Sequence, residues 1–129
     1  MKYVFGIATL LFLNLSIVAQ DTPDEKICSI MKQGRFLYLG LEDTTAYFVI
    51  NKDEHTEYHE GGKYNIKSKL KWVNSCQYKM TLLSHTMPDF PFKKGDIMTV
   101  TINKIEDGII YYTSQVKEAK WNGALLKLE

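Results

Sequence analysis

Beyond Gly34, apolar and polar residues alternate one for one over short stretches separated by turn-forming residues, the period of strands with a single buried face. The clearest stretch interleaves Tyr64, Ile66, Leu70 and Trp72 with Asn65, Lys67, Lys69 and Lys71. Tyr78, Met80 and Leu82 repeat the pattern, and Met98, Val100 and Ile102 repeat it again. The pattern predicts eight strands, over residues 35–41, 45–51, 55–60, 63–72, 76–84, 96–104, 108–116 and 124–128. Side chains alternate across a strand, so the lysines read as a wetted exterior rather than a partner-binding patch.

The turns set the register. Asp107-Gly108 is the strongest hairpin signal, and Glu60-Gly61-Gly62 and Asn122-Gly123 read as two further turns. Between the fourth and fifth strands, a three-residue loop Val73-Asn74-Ser75 places Trp72 opposite Cys76 and Leu70 opposite Tyr78, and both apolar faces then agree. Asn74 is the natural residue for a left-handed position in that loop.

One helix is expected ahead of the strands. Thr22-Pro23-Asp24-Glu25 has the order of a capping box, Gly34 offers a stop, and Ile27, Ile30 and Met31 share the face between them. Before it, Met1-Lys2, the apolar run from Tyr3 to Leu13 and the ending Ile17-Val18-Ala19 read as an export signal over residues 1–19, cut after Ala19. An uncleaved anchor is the alternative, but Gly6, Thr9, Asn14 and Ser16 interrupt the roughly 20 apolar residues a span requires. Residues 20–129 then form a single domain that is secreted or periplasmic, with no transmembrane segment after cleavage.

In that compartment the two cysteines, Cys28 and Cys76, are expected to form a disulfide. Their spacing does not fit structural zinc patterns. In an up-and-down order the start of the first strand shares an end with the turn after the fourth, so topology alone brings Cys28 to Cys76. The predicted fold class is therefore all-β: a small eight-stranded antiparallel up-and-down barrel with a short N-terminal helix covering one end. Lys+Arg 16 against Asp+Glu 15 leaves a net charge of +1, which gives no pull toward nucleic acid.

Cys28, the Gly34-x-Phe36-x-Tyr38 run, Trp72-x-x-x-Cys76-x-Tyr78 and Gly95-Asp96 together resemble a group of small exported bacterial β-barrel proteins of unassigned function. More loosely, the layout is similar to lipocalin-like barrels, with Phe36 where those place an early tryptophan. That resemblance implies a carrier of a small hydrophobic ligand in the barrel interior.

The candidate sites follow from placement. His55, Glu57 and His59 share one face of a strand and are weak metal candidates, because His55 and His59 lie roughly 13 Å apart and cannot share one ion. A polar barrel exterior is the expected role for this face. The segment from His85 to Gly95 is the longest connection, and Met87, Phe90 and Phe92 there either close the barrel or form a lid, portal or contact surface. Tyr64 and Trp72 are further candidate contacts for an unidentified protein or small apolar ligand. The bulky inward residues of strands four to six, with Ser68 the one small member, predict a filled interior. No nucleophile elbow, paired-cysteine, zinc-protease or phosphate-loop motif occurs, and Ser84, His85 and Asp89 are neighbours in sequence without implied triad geometry. The expectation is a non-enzymatic domain without a cofactor, acting through its surface or its loop-lined end.

Overall fold

The computed structural model describes residues 25–129. The expected export signal and the Thr22-Pro23 start of the helix lie outside the described residues.

Among the described residues there are eight strands: β1 (Gly34–Leu39), β2 (Tyr47–Asn51), β3 (Glu54–His59), β4 (Tyr64–Asn74), β5 (Gln77–His85), β6 (Ile97–Glu106), β7 (Ile109–Val116) and β8 (Ala119–Lys127). Each pairs antiparallel with its sequence neighbour, and β1 pairs with β8 to close the barrel. Close contacts require glycine at two positions, one at the closing seam and one beneath an inward ring. A Cβ on Gly34 would lie 2.3 Å from the Glu129 carbonyl oxygen, and one on Gly123 would lie 2.3 Å from the Tyr112 hydroxyl.

Among the described residues the expected N-terminal helix is short. A single α turn, α1 (Glu25–Cys28), passes into a 3-10 turn (Ser29–Lys32), and Gln33 is already extended. Gly34 opens β1 instead of stopping a helix, with φ 137°. Cys28 and Met31 are fully buried in the core, whereas Ile27, assigned by its spacing to the same buried face, is 44% exposed. The tighter 3-10 winding after Cys28 breaks the i, i+3, i+4 stripe that the α period assumes.

The disulfide between Cys28 and Cys76 is present, with Cα atoms 5.3 Å apart. The register beside it differs from expectation by two residues. Trp72 pairs with Tyr78 and Leu70 with Met80, because Ser75 and Cys76 form the turn and a bulge lies between Trp72 and Asn74. The bulge preserves the in-and-out parity, so the apolar faces still agree. Asn74 acts through its side chain, not through a left-handed backbone: its Oδ1 accepts the Cys76 N–H at 2.9 Å.

Asp107 and Gly108 both have positive φ, as a tight hairpin turn requires, and Glu60, Gly61 and Gly62 do likewise. Asn122-Gly123, by contrast, is strand and not turn. Gln115 pairs with Lys120 and Val116 with Ala119, which makes Lys117-Glu118 the two-residue turn, with Lys117 at positive φ.

The barrel has two unlike halves. The end carrying α1 and the turns after β2, β4 and β6 is filled by Cys28, Met31, Phe36, Ile50, Leu70, Tyr78, Val100, Ile102, Ile110 and Leu125. The opposite end, rimmed by the connections after β1, β3, β5 and β7, is hollow.

The disulfide spans a sequence separation of 48. Replacing both cysteines with alanine is expected to lower the unfolding free energy by about 4 kcal/mol, the chain entropy restored to the unfolded state. Urea denaturation checks this: the midpoint should fall substantially in the double variant.

Candidate functional site

The hollow end is a half-open cavity of about 320 Å³. It exists because the inward positions near that rim are small. Ser68 on β4 and Ser114 and Val116 on β7 leave the space that bulky residues fill in the other half, and Gly123 on β8 makes room for the Tyr112 ring beside it. Ile66, Met80, Leu82 and Met98 belong to the apolar wall.

The connection from β5 to β6 shapes the mouth. Leu82 and Asp96 hold its ends together, the Leu82 N–H donating to the Asp96 carbonyl at 2.9 Å and the Gly95 N–H to the Leu82 carbonyl at 2.8 Å. Above that clasp the rings run in contact: His85 to Phe90 at 4.7 Å, Phe90 to Phe92 at 5.4 Å, and Phe92 to Trp121 at 6.4 Å. Phe90, Phe92 and Trp121 all line the cavity. The loop aromatics therefore arch over the opening without filling it.

The floor is aromatic and then polar. Phe36 stacks on Phe48 at 5.0 Å, and Phe48 stacks on the His55 imidazole at 4.3 Å. His55 is only 2% exposed. The face expected to be a polar exterior is thus the barrel interior. Asn51 pairs with Glu54, so His55 falls opposite Ile50 and Glu57 opposite Phe48, both inward residues. The outward set of β3 is Thr56 and Tyr58, the latter stacked on Tyr47 at 4.9 Å.

Glu57 is the chemical centre of the floor. Its Oε1 accepts the Tyr38 hydroxyl at 2.5 Å, and its Oε2 lies 2.6 Å from Nε2 of His59. Behind His59, Nδ1 is 3.8 Å from Asp43. Asp43 also accepts the Thr45 hydroxyl and the N–H groups of Thr45 and Glu60, which ties the connection after β1 to the turn after β3.

Burial pushes the Glu57 carboxyl up, but the hydrogen bond from His59, the neighbouring His55 imidazole and the Tyr38 hydroxyl outweigh it, and the group sits below the usual carboxylate range. His59 is raised, chiefly by its hydrogen bond to Glu57. His55, stripped of water, is lowered to about 4 and is neutral at pH 7. Burial, followed by the Glu57 charge, raises Tyr38 well above an ordinary phenol and Tyr112 to about 12.

Two further polar groups face the cavity. Ser68 is 7% and Ser114 2% exposed, and among the described residues neither hydroxyl has a protein hydrogen-bond partner. Buried hydroxyls of this kind call for a partner, whether water or ligand.

Of the residues singled out from sequence, Phe90 and Phe92 line the cavity, as do His55 and Glu57. Met87 is outside the lining, its N–H donating to Nδ1 of His85 at 3.1 Å. That bond and the Phe90 contact give His85 a place in the loop scaffold. Tyr64 is outside it too, paired with His59 and lying 5.2 Å from the Lys63 ammonium. Trp72 packs at the filled end, edge-on to Tyr78 at 5.0 Å and beneath Lys32 at 3.9 Å. Among the described residues no three His, Cys, Asp or Glu side chains converge as a metal site, and no helix is long and apolar enough to cross a membrane. Sequence reasoning did not single out Tyr38, Ser114, Trp121 or Gly123 as site residues. Comparison of the chain with protein-family models, with curated proteins and with solved structures finds no match in any of the three.

The two histidines impose opposite pH slopes. A lowered folded-state pKa at His55 means that stability present above the ordinary value of 6.5 is lost as pH falls toward 4. The raised pKa at His59 means that its stabilisation is full below 6.5 and lost as pH climbs through the folded value. Between pH 6.5 and 4.5 the His55 contribution is expected to fall by about 2 to 3 kcal/mol. Urea titrations at several pH values check it: the His55→Phe variant, which keeps the stack on Phe48, should show a shallower acid slope than the wild type.

Proposed function

We propose that this protein is an exported, non-catalytic binding barrel that holds one small, largely apolar molecule in the cavity at its loop-lined end. The observation that carries this reading is the cavity itself: apolar walls, an aromatic mouth and a few buried polar groups directed at one space, the usual composition of a small-molecule site. Its volume of about 320 Å³ is at the small end of such sites and fits a compact aromatic compound of up to about three rings. This is the arrangement implied by the resemblance to lipocalin-like carriers. It gives the loop aromatics Phe90 and Phe92 the role of portal.

A non-catalytic role is supported by the state of the polar groups. Glu57 is held ionised by two donors, and the nearby His55 is dehydrated and neutral. A disulfide suits an oxidising compartment, in keeping with the apolar leader at the start of the chain.

The neutral probe N-phenyl-1-naphthylamine, whose fluorescence rises in apolar surroundings, tests the reading. The protein is expected to bind one equivalent saturably, with a dissociation constant on the order of micromolar, as suits so small a ligand. Ser114→Phe, which places a ring inside the cavity, should weaken the probe at least tenfold while the near-ultraviolet circular dichroism stays folded. Absence of saturable fluorescence, or equal binding by the folded variant, defeats the proposal.

A further inference from the structure

The cavity has a sign. Among the described residues that line it, the ionised side chains are Glu57 and Asp96, and neither lysine nor arginine is present. Asp96 lies at the rim, where Lys117 is 3.5 Å away and the Lys93 N–H donates to it at 2.9 Å. Glu57 lies on the floor, 19% exposed, with its known donors being a phenol and an imidazole. A carboxylate oxygen can accept two hydrogen bonds and each of these accepts one from the protein, so each retains capacity for a donor coming from the cavity.

The remaining polar groups are also suited to a donor. His55 is a neutral imidazole with acceptor capacity, and Ser68 and Ser114 carry free lone pairs. Tyr38, Tyr112, Phe90, Phe92 and Trp121 line the same space, and a desolvated cation over an aromatic ring is attracted by up to about 2 kcal/mol. An anionic ligand head, in contrast, would meet Glu57 with no lysine or arginine in the lining, and the one basic group at the floor, His59, is already engaged by Glu57 at 2.6 Å.

We propose that the cavity selects a small amine, an aromatic or branched apolar body bearing one protonated nitrogen that docks on the Glu57 carboxylate. This rests on the binding reading given above and adds the chemical class of the ligand. The body lies between Met80, Leu82, Met98 and the Phe90, Phe92 and Trp121 rings, and the ammonium donates to Glu57 with the Ser68 and Ser114 hydroxyls beside it.

Three probes with one ring system and three charges test the assignment: 2-naphthylmethylamine, 2-naphthylmethanol and 2-naphthoate, each titrated at pH 7 by displacement of N-phenyl-1-naphthylamine and by calorimetry. The amine is expected to bind at least tenfold tighter than the alcohol, and the carboxylate at least tenfold weaker than it. In Glu57→Gln the ratio of amine to alcohol affinity should fall toward one. Equal affinity of amine and alcohol for the wild-type protein, or tightest binding of 2-naphthoate, overturns the amine assignment while leaving the cavity as a binding site. Failure of all three while N-phenyl-1-naphthylamine still binds overturns the amine assignment alone, and failure of that probe as well overturns both. The wild-type ranking decides the matter even if Glu57→Gln does not fold.

Discussion

Pairing of the first strand with the last governs everything inside this molecule. Phe36, Leu37, Tyr38 and Leu39 meet Lys127, Leu126, Leu125 and Ala124, and the Arg35 N–H donating to the Glu129 carbonyl and the Leu128 N–H to the Arg35 carbonyl extend the seam. A sheet that closes on itself has no unpaired edge. It also has an interior that water enters from the ends alone. The seam is tight enough to exclude any side chain at Gly34, and Lys127 reaches across it to donate to the Ile30 carbonyl at 2.8 Å. The 3-10 turn is thereby tied to the last strand as well as, through Cys28, to the β4–β5 hairpin.

Closure makes the position of Glu57 consequential. On an open sheet a carboxylate at this position would be an ordinary wetted group. Inside the barrel an ionised group without partners would cost several kcal/mol. Tyr38 from β1 and His59 from β3 supply donors on the two oxygens, and hydrogen bonds to a charged acceptor are roughly twice as strong as neutral ones. The network serves the mouth as well, because His59 leads to Asp43 and Asp43 fastens the two connections beside it. One end of the cylinder is solid through packing and a covalent link; the other stays open around a satisfied charge.

Most strands were legible because one-residue alternation is a local property, and seven of the eight predicted strands match the observed ones within a few residues. The eighth begins earlier because Asn122-Gly123 resembles a turn. That glycine answers instead to a non-local need, the Tyr112 ring lying across it. The β4–β5 register slipped by two because a bulge and a shorter turn give the same parity as a longer loop. His55 and Glu57 could have been placed indoors from sequence: with Lys52-Asp53 as a two-residue turn, the inward parity of Phe48 and Ile50 passes directly to them. Lys52 at positive φ is unusual for a turn position, and this weakened the signal that Asn-Gly or Asp-Gly would have given.

The sequence by itself determined the all-β class, the number of strands, their up-and-down order, the cysteine pairing and the long aromatic connection. All of these follow from alternation, turn chemistry and chain order, which are read from neighbours along the chain. Only the tertiary structure decided that the interior is half empty and that its floor carries a carboxylate. Those outcomes depend on which residues of different strands fall at the same height once the ring closes. Ser68, Ser114 and Val116 leave a void because closure and stagger bring them together near one rim, and separation along the chain carries no trace of that meeting.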